Sequence, residues 1–86
     1  MKISAELTLS PLQDNYEELI KKFISELRKS EFKVIENPLS TQIYGEYYSL
    51  MEFLKNAIAK SLIDQEAVII NIKIIKGDRS GYIPSF

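Results

Sequence analysis

The chain has 86 residues, with 11 Lys and Arg against 12 Asp and Glu, a formal charge of −1, no histidine and no cysteine. That balance offers no electrostatic footprint for a nucleic-acid backbone or an anionic membrane. The missing residue types exclude disulfides, thiolate nucleophiles and cysteine-based metal or redox motifs, and leave only Ser, Lys, Tyr, Asp and Glu as conceivable catalysts. A chain this short forms one domain and buries only about 60% of the surface its unfolded form exposes, so self-association would help it.

The first element, KISAELTL from Lys2 to Leu9, alternates strictly. Ile3, Ala5, Leu7 and Leu9 fall on one face and Ser4, Glu6 and Thr8 on the other, the pattern of a half-buried strand. Apolar and polar residues already alternate at the N-terminus, unlike a signal peptide, and the longest apolar run is Ala67 to Ile70. Roughly 20 apolar residues are needed to span a bilayer, so the expectation is a soluble, cytoplasmic protein. Ser10-Pro11 breaks the alternation. Ser10 with Gln13, or Asp14 with Glu17, fits a capping-box start for the next helix. Tyr16, Leu19, Ile20, Phe23, Ile24 and Leu27 recur at helical spacing, and Glu17 with Lys21 and Glu18 with Lys22 form i,i+4 pairs on the outer face.

Phe32 to Glu36 reads as a short strand and Asn37-Pro38 as a turn. Ser40 to Glu46 is the third strand, with Thr41, Ile43 and Gly45 on the face suited to a core and Ser40, Gln42, Tyr44 and Glu46 on a polar, aromatic face. Ser49 and Glu52 form a capping box, Tyr48 is placed to staple onto Phe53, and Leu50, Phe53, Leu54, Ala57, Ile58 and Leu62 give the second helix its apolar stripe. After Asp64-Gln65-Glu66, the segment AVIINIKIIK is the most β-branched strand. Val68, Ile70, Ile72 and Ile74 make one of its faces wholly aliphatic; Ala67, Ile69, Asn71, Lys73 and Ile75 make the other mixed. Gly77 to Phe86 reads as a C-terminal tail, frayed or docked on a neighbouring surface.

The order βαββαβ is the ferredoxin-like split βαβ motif of the α+β class, expected over residues 1–76. That fold has an antiparallel sheet in the order 4-1-3-2 with both helices on one face. The open face then carries Ser4, Glu6 and Thr8 beside Ser40, Gln42 and Tyr44, flanked by Ile69, Asn71, Lys73 and Ile75. This surface is too apolar on the last strand to be merely solvated, so self-association through it, as a dimer or tetramer, is expected.

LSTQIYGE from Leu39 to Glu46, with KISAELTLSPL at the N-terminus and this element order, resembles the YkoF-like family of thiamine- and hydroxymethylpyrimidine-binding proteins. In that family a strand of the form (M/L)-S-T-x-(I/V)-x-G-(E/R) precedes the second helix, and the first strand runs into an X-Pro-Leu turn, here Ser10-Pro11-Leu12. The resemblance implies a ferredoxin-like domain that binds the aminopyrimidine of thiamine without transforming it. It implies no cofactor, thiamine or its pyrimidine being the ligand, and assembly by stacking of sheets.

An aminopyrimidine sets an exocyclic amino donor beside ring-nitrogen acceptors, so its wall needs an acceptor and a donor close together. Gln42 carries both. Glu6 can accept from the amino group or balance the positive thiazolium, Tyr44 can supply an aromatic or cation–π contact, Ser40 and Thr41 add hydroxyls, and Glu46 is a further candidate, toward a cation. Each has a structural alternative: Thr41 as a packed strand residue, Ser40 closing the Asn37-Pro38 turn, Glu46 favouring a helix N-terminus rather than a cation, and Gly45 admitting a close neighbour. The competing function is a homo-oligomeric regulatory or interaction domain of the same shape with no vitamin ligand. RNA recognition on this topology requires basic residues and several aromatics on the central strands; Tyr44 and Glu6 do not supply them.

Overall fold

A computed structural model describes residues 1–85; Phe86 lies outside the described residues. The elements are β1 (Lys2–Pro11), α1 (Tyr16–Arg28), β2 (Lys33–Glu36), β3 (Thr41–Glu46), α2 (Tyr47–Leu62) and β4 (Val68–Lys76). The four strands form one antiparallel sheet in the order β2-β3-β1-β4, which is the expected 4-1-3-2 arrangement read from the other edge. The ferredoxin-like reading therefore holds.

Alternation decides the core. Ile3, Ala5 and Leu7 of β1 and Ile43 of β3 are buried with Phe23 and Leu27 of α1 and Leu50, Leu54 and Ala57 of α2. In β3 the parity is as expected: Thr41 and Ile43 are buried and Gln42 and Tyr44 half-buried. Gly45 is required by a close approach, since a Cβ there would lie 2.6 Å from Phe32 Cδ1 and 2.9 Å from Cε1. Phe32 in turn packs against Phe53 of α2 with ring centroids 5.6 Å apart.

Several local expectations are corrected. β1 does not stop at Leu9 but continues to Pro11, because β4 is long enough to pair with it as far as Pro11 with Val68. Neither capping box opens α1. Its N-cap is Asn15, without a side-chain cap, and Gln13 instead ties the ends of two connections together. Gln13 Oε1 accepts from the Glu66 and Ala67 N–H groups at 3.1 and 3.3 Å, while Nε2 donates to Asn15 Oδ1 at 2.7 Å.

The box at α2 also runs the other way. Glu46 is the N-cap and accepts from the Ser49 N–H at 2.9 Å, so the helix starts two residues before Ser49. Tyr48, now in the first turn, is exposed and meets Tyr47 edge-on rather than stapling to Phe53. Among the described residues the expected i,i+4 pairs of α1 form no salt bridge; Glu26 pairs instead with Lys60 of α2 at 3.3 Å.

The largest departure is on β4. Its aliphatic face lies on the helix side, where Ile74 and Ile72 stand opposite Ala5 and Leu7 of β1. Yet Ile72 is 41% and Ile74 44% exposed. The helices pack over β1 and β3 and on each other, and neither packs substantially on β4. The tail is docked at its start. Gly77, at φ 101°, donates its N–H to Lys2 O at 2.7 Å, and Ser4 Oγ donates to Gly77 O and accepts from the Arg79 N–H, both at 2.8 Å. A positive φ is cheap only for glycine, so Gly77 is what turns the chain onto the open face. Tyr82 and Ile83 remain exposed.

Candidate functional site

Three of the expected ligand residues meet at one end of the open face. Glu6 stands opposite Gln42 across the β1–β3 ladder. Ser40 Oγ donates to Glu6 Oε2 at 3.0 Å, and Gln42 Nε2 donates to Ser40 Oγ at 2.7 Å and to Glu6 Oε2 at 3.5 Å. On the other flank Lys73 Nζ lies 3.9 Å from Glu6 Oε1. The turn before β3 locks the same cluster. Asn37 Oδ1 accepts from the Leu39 and Ser40 N–H groups, both at 3.0 Å, its N–H donates to Ser40 O at 3.1 Å, and its Nδ2 donates to Gln42 Oε1 at 3.3 Å. Asn is favoured in such turns because its side chain satisfies backbone groups just ahead of it. Glu6, Ser40 and Gln42 thus satisfy one another across a sheet surface.

Thr41 points the other way. It is buried on the helix side and lines a cleft of about 280 Å³ between α1, the end of β1 and the Pro38–Ser40 turn. Thr8, Ser10, Ser40 and Thr41 line this cleft together with the apolar Leu9, Ile20, Phe23, Ile24 and Leu39. Among the described residues, the hydroxyl of Thr41 makes no side-chain hydrogen bond. Ser40 belongs to both surfaces and connects the cleft to Glu6 and Gln42.

Tyr44 and Glu46 lie apart from this group. They line a second cavity, of about 380 Å³, at the opposite end of β3 with Lys2, Lys33, Phe32 and Asp78. Partial burial, then the negative charges of Asp78 and Glu6, hold the Tyr44 phenol above its ordinary pKa. The Ser49 N–H holds the Glu46 carboxyl below the usual glutamate value, and hydrogen bonds from Ser80, aided by Lys2 and Lys33, lower that of Asp78. Glu46 is therefore committed to the start of α2.

The cleft residues that sequence reasoning missed are Ser10, Ile20, Phe23, Ile24 and Leu39. Leu39 carried a signal, being a large apolar residue beside a turn. Ser10 carried none, because Ser10-Pro11 looks like the end of a strand.

The S-T step at the head of β3, on which the resemblance rested, borders this mixed cleft. The family model described as thiamine-binding protein matches residues 5–83. The chain belongs to the thiamine-binding protein family. This agrees with the resemblance read from Leu39 to Glu46. Among solved structures, a protein of Streptococcus pneumoniae is 30% identical with a TM-score of 0.83, over 91% of this chain and 89% of that one. A protein of Methanocaldococcus jannascii is 26% identical with a TM-score of 0.75, over 90% and 81% of the two chains. A candidate thiamine biosynthesis/salvage protein of Thermotoga maritima, 17% identical with a TM-score of 0.77 over 86% and 82%, shares the fold. No curated protein matches.

Proposed function

We propose that this family member binds thiamine or its hydroxymethylpyrimidine precursor, without transforming it, in the cleft between α1 and the ends of β1 and β3. The observation that carries the reading is the Thr41 hydroxyl, which makes no side-chain hydrogen bond among the described residues, in a mixed cleft that Thr8, Ser10 and Ser40 also line beside the S-T step. Small-molecule sites are concave and mostly apolar with a few convergent polar groups. The Glu6, Ser40 and Gln42 side chains are engaged with one another by hydrogen bonds.

A pyrimidine ring stacks between the side chains of α1 and the Leu39 turn. The hydroxyls of Thr41 and Ser40 meet its amino group and ring nitrogens. Glu6 accepts from Ser40 and Gln42 donates to it, so both fix which way the Ser40 hydroxyl presents itself, and the Glu6 carboxylate offsets a positive thiazolium nearby. Tyr44 and Glu46 stand outside this binding role. The reading includes self-association through the open sheet face, supported by Ile69 and Ile75, each about half exposed beside Ser4, Glu6 and Lys73.

A thermal-shift titration tests it. A ligand at 100 times its dissociation constant stabilises the fold by about 2.7 kcal/mol. Thr41→Val removes one hydrogen-bonding group of about 1.4 kcal/mol, roughly tenfold in affinity, and Gln42→Ala or Glu6→Ala, acting through Ser40, costs less. A flat response of the parent protein to both thiamine and hydroxymethylpyrimidine would contradict the proposal.

A further inference from the structure

β4 is an edge strand, and the hydrogen bonds at its two ends fix what that edge offers. Leu12 N–H donates to Ala67 O at 2.7 Å, and Gly77 N–H donates to Lys2 O at 2.7 Å. Both lie in the single register that runs unbroken through the β1–β4 ladder, from Ile3 with Lys76 to Pro11 with Val68. Directly opposed residues in an antiparallel pair alternate between hydrogen-bonded and non-hydrogen-bonded. Ile69, Asn71, Lys73 and Ile75 therefore turn their backbone groups toward β1. Val68, Ile70, Ile72, Ile74 and Lys76 turn theirs outward, into an uncovered edge.

Such a row of donors and acceptors is a template for another strand, and protected edges carry lysines, prolines, bulges or a covering element; of these β4 carries only Lys73 and the terminal Lys76. β4 has no proline or bulge, neither helix packs substantially on it, and the tail leaves it at Gly77 to cross over Ser4 on the open face. Ile72 and Ile74 are exposed toward the helix face, and Ile69 and Ile75 are exposed toward the open face, where Asn71 and Lys73 lie between them.

We propose that β4 pairs edge to edge with β4 of a second copy of this chain, antiparallel about a two-fold axis perpendicular to the sheet and centred on Ile72. This rests on the self-association reading and specifies a surface for it other than the open face. A two-fold of that orientation keeps each side chain on its own face, so only residues of like parity oppose one another. Centring on Ile72 sets it against itself, Ile70 against Ile74, Ile69 against Ile75 and Asn71 against Lys73. Isoleucines then meet on both faces and no charges of one sign are opposed. Centring on Lys73 opposes two ammonium groups, and centring on Asn71 places Lys73 against Ile69. Cross-strand pairs of β-branched residues stabilise a sheet and like charges directly opposite destabilise it, which selects the Ile72 register.

The chain contains no cysteine, so single substitutions report the register. Cα atoms of a hydrogen-bonded antiparallel pair are about 5.5 Å apart, inside the roughly 4.4–6.8 Å range of disulfides. Under mild oxidation Ile72→Cys is expected to give a covalent dimer, while Ile74→Cys, separated from its own copy by four residues or about 14 Å along the strand, gives none. Because the Ile72 N–H faces outward, Ile72→Pro leaves the β1–β4 ladder intact and is expected to halve the mass measured by light scattering, with Ile72→Val retaining the parent mass. Failure of Ile72→Cys to cross-link, or equal cross-linking of Ile74→Cys, overturns the pairing. If Ile75→Lys dissociates the protein and Ile72→Pro does not, edge pairing falls while association through the open face stands. A parent chain that is monomeric at high concentration removes both.

Discussion

β3 and β4 flank the same central strand, carry isoleucines toward the same helix side, and end up in opposite conditions. Ile43 of β3 is fully buried beneath α2, whereas Ile72 and Ile74 of β4 are about two-fifths exposed. The difference lies in where the two helices are delivered. α2 follows β3 directly at Tyr47 and folds back over it, while α1 sits over β1 and against α2, so that neither helix packs substantially on the last strand. An aliphatic face states that something apolar should cover it; the covering group need not belong to the same chain.

The sharpest way to break this contrast is truncation on each strand. Ile43→Ala should destabilise by about 2–5 kcal/mol, because a sealed site leaves a cavity. Ile74→Ala should cost about 1 kcal/mol or less in the dissociated chain, since much of that side chain is already in water. Denaturant melts of both variants at low protein concentration check this, and equal losses would mean that β4 is as well covered as β3. The tightness of the β3 side is tested next by Gly45→Ala. The added methyl must displace the Phe32 ring that packs on Phe53, at about 1–3 kcal/mol, seen as a lower urea midpoint with an unchanged slope.

The smallest expected effect concerns the joint between β3 and α2. Glu46→Ala should lower the melting temperature modestly without changing vitamin affinity, because Glu46 caps the helix at 2.9 Å from the Ser49 nitrogen. Its folded-state pKa is depressed, chiefly by that N–H, so the stabilisation is complete above the ordinary glutamate value of 4.5 and is lost as pH falls through the lower folded value. Parent and variant melting curves should therefore converge in acid and separate near neutrality. Separation that persists undiminished in strong acid would assign the effect to something other than the carboxylate.

Much of this architecture was legible in the residues. The strict alternation of β1 fixes its faces, and with the element order it puts Glu6 beside Gln42 and Lys73, as the ladders confirm. The parity of β3 likewise separates Thr41 and Ile43 from Gln42 and Tyr44. Helix starts were less legible. Glu46 and Ser49 stand three apart, as do Ser49 and Glu52, and either pair can cap a helix; the choice depends on whether Tyr47 and Tyr48 continue the strand, which their β-propensity suggests and the packing of α2 overrules.

The cleft was hidden for a related reason. Ser10-Pro11 carries a local break signal, but pairing with the long β4 holds it extended, so that Ser10 borders the same cleft as Thr41. No local pattern announces that Thr41, an ordinary buried strand residue by parity, also borders a cavity at the end of the sheet.

The measurement that bears most directly on the proposed function is a crystal structure of the protein with hydroxymethylpyrimidine. The pyrimidine ring should lie between α1 and the Leu39 turn, with the Thr41 and Ser40 hydroxyls within hydrogen-bonding distance of its nitrogen atoms. A ring bound instead on the open sheet face, against Gln42 and Tyr44 with the cleft vacant, would contradict the account.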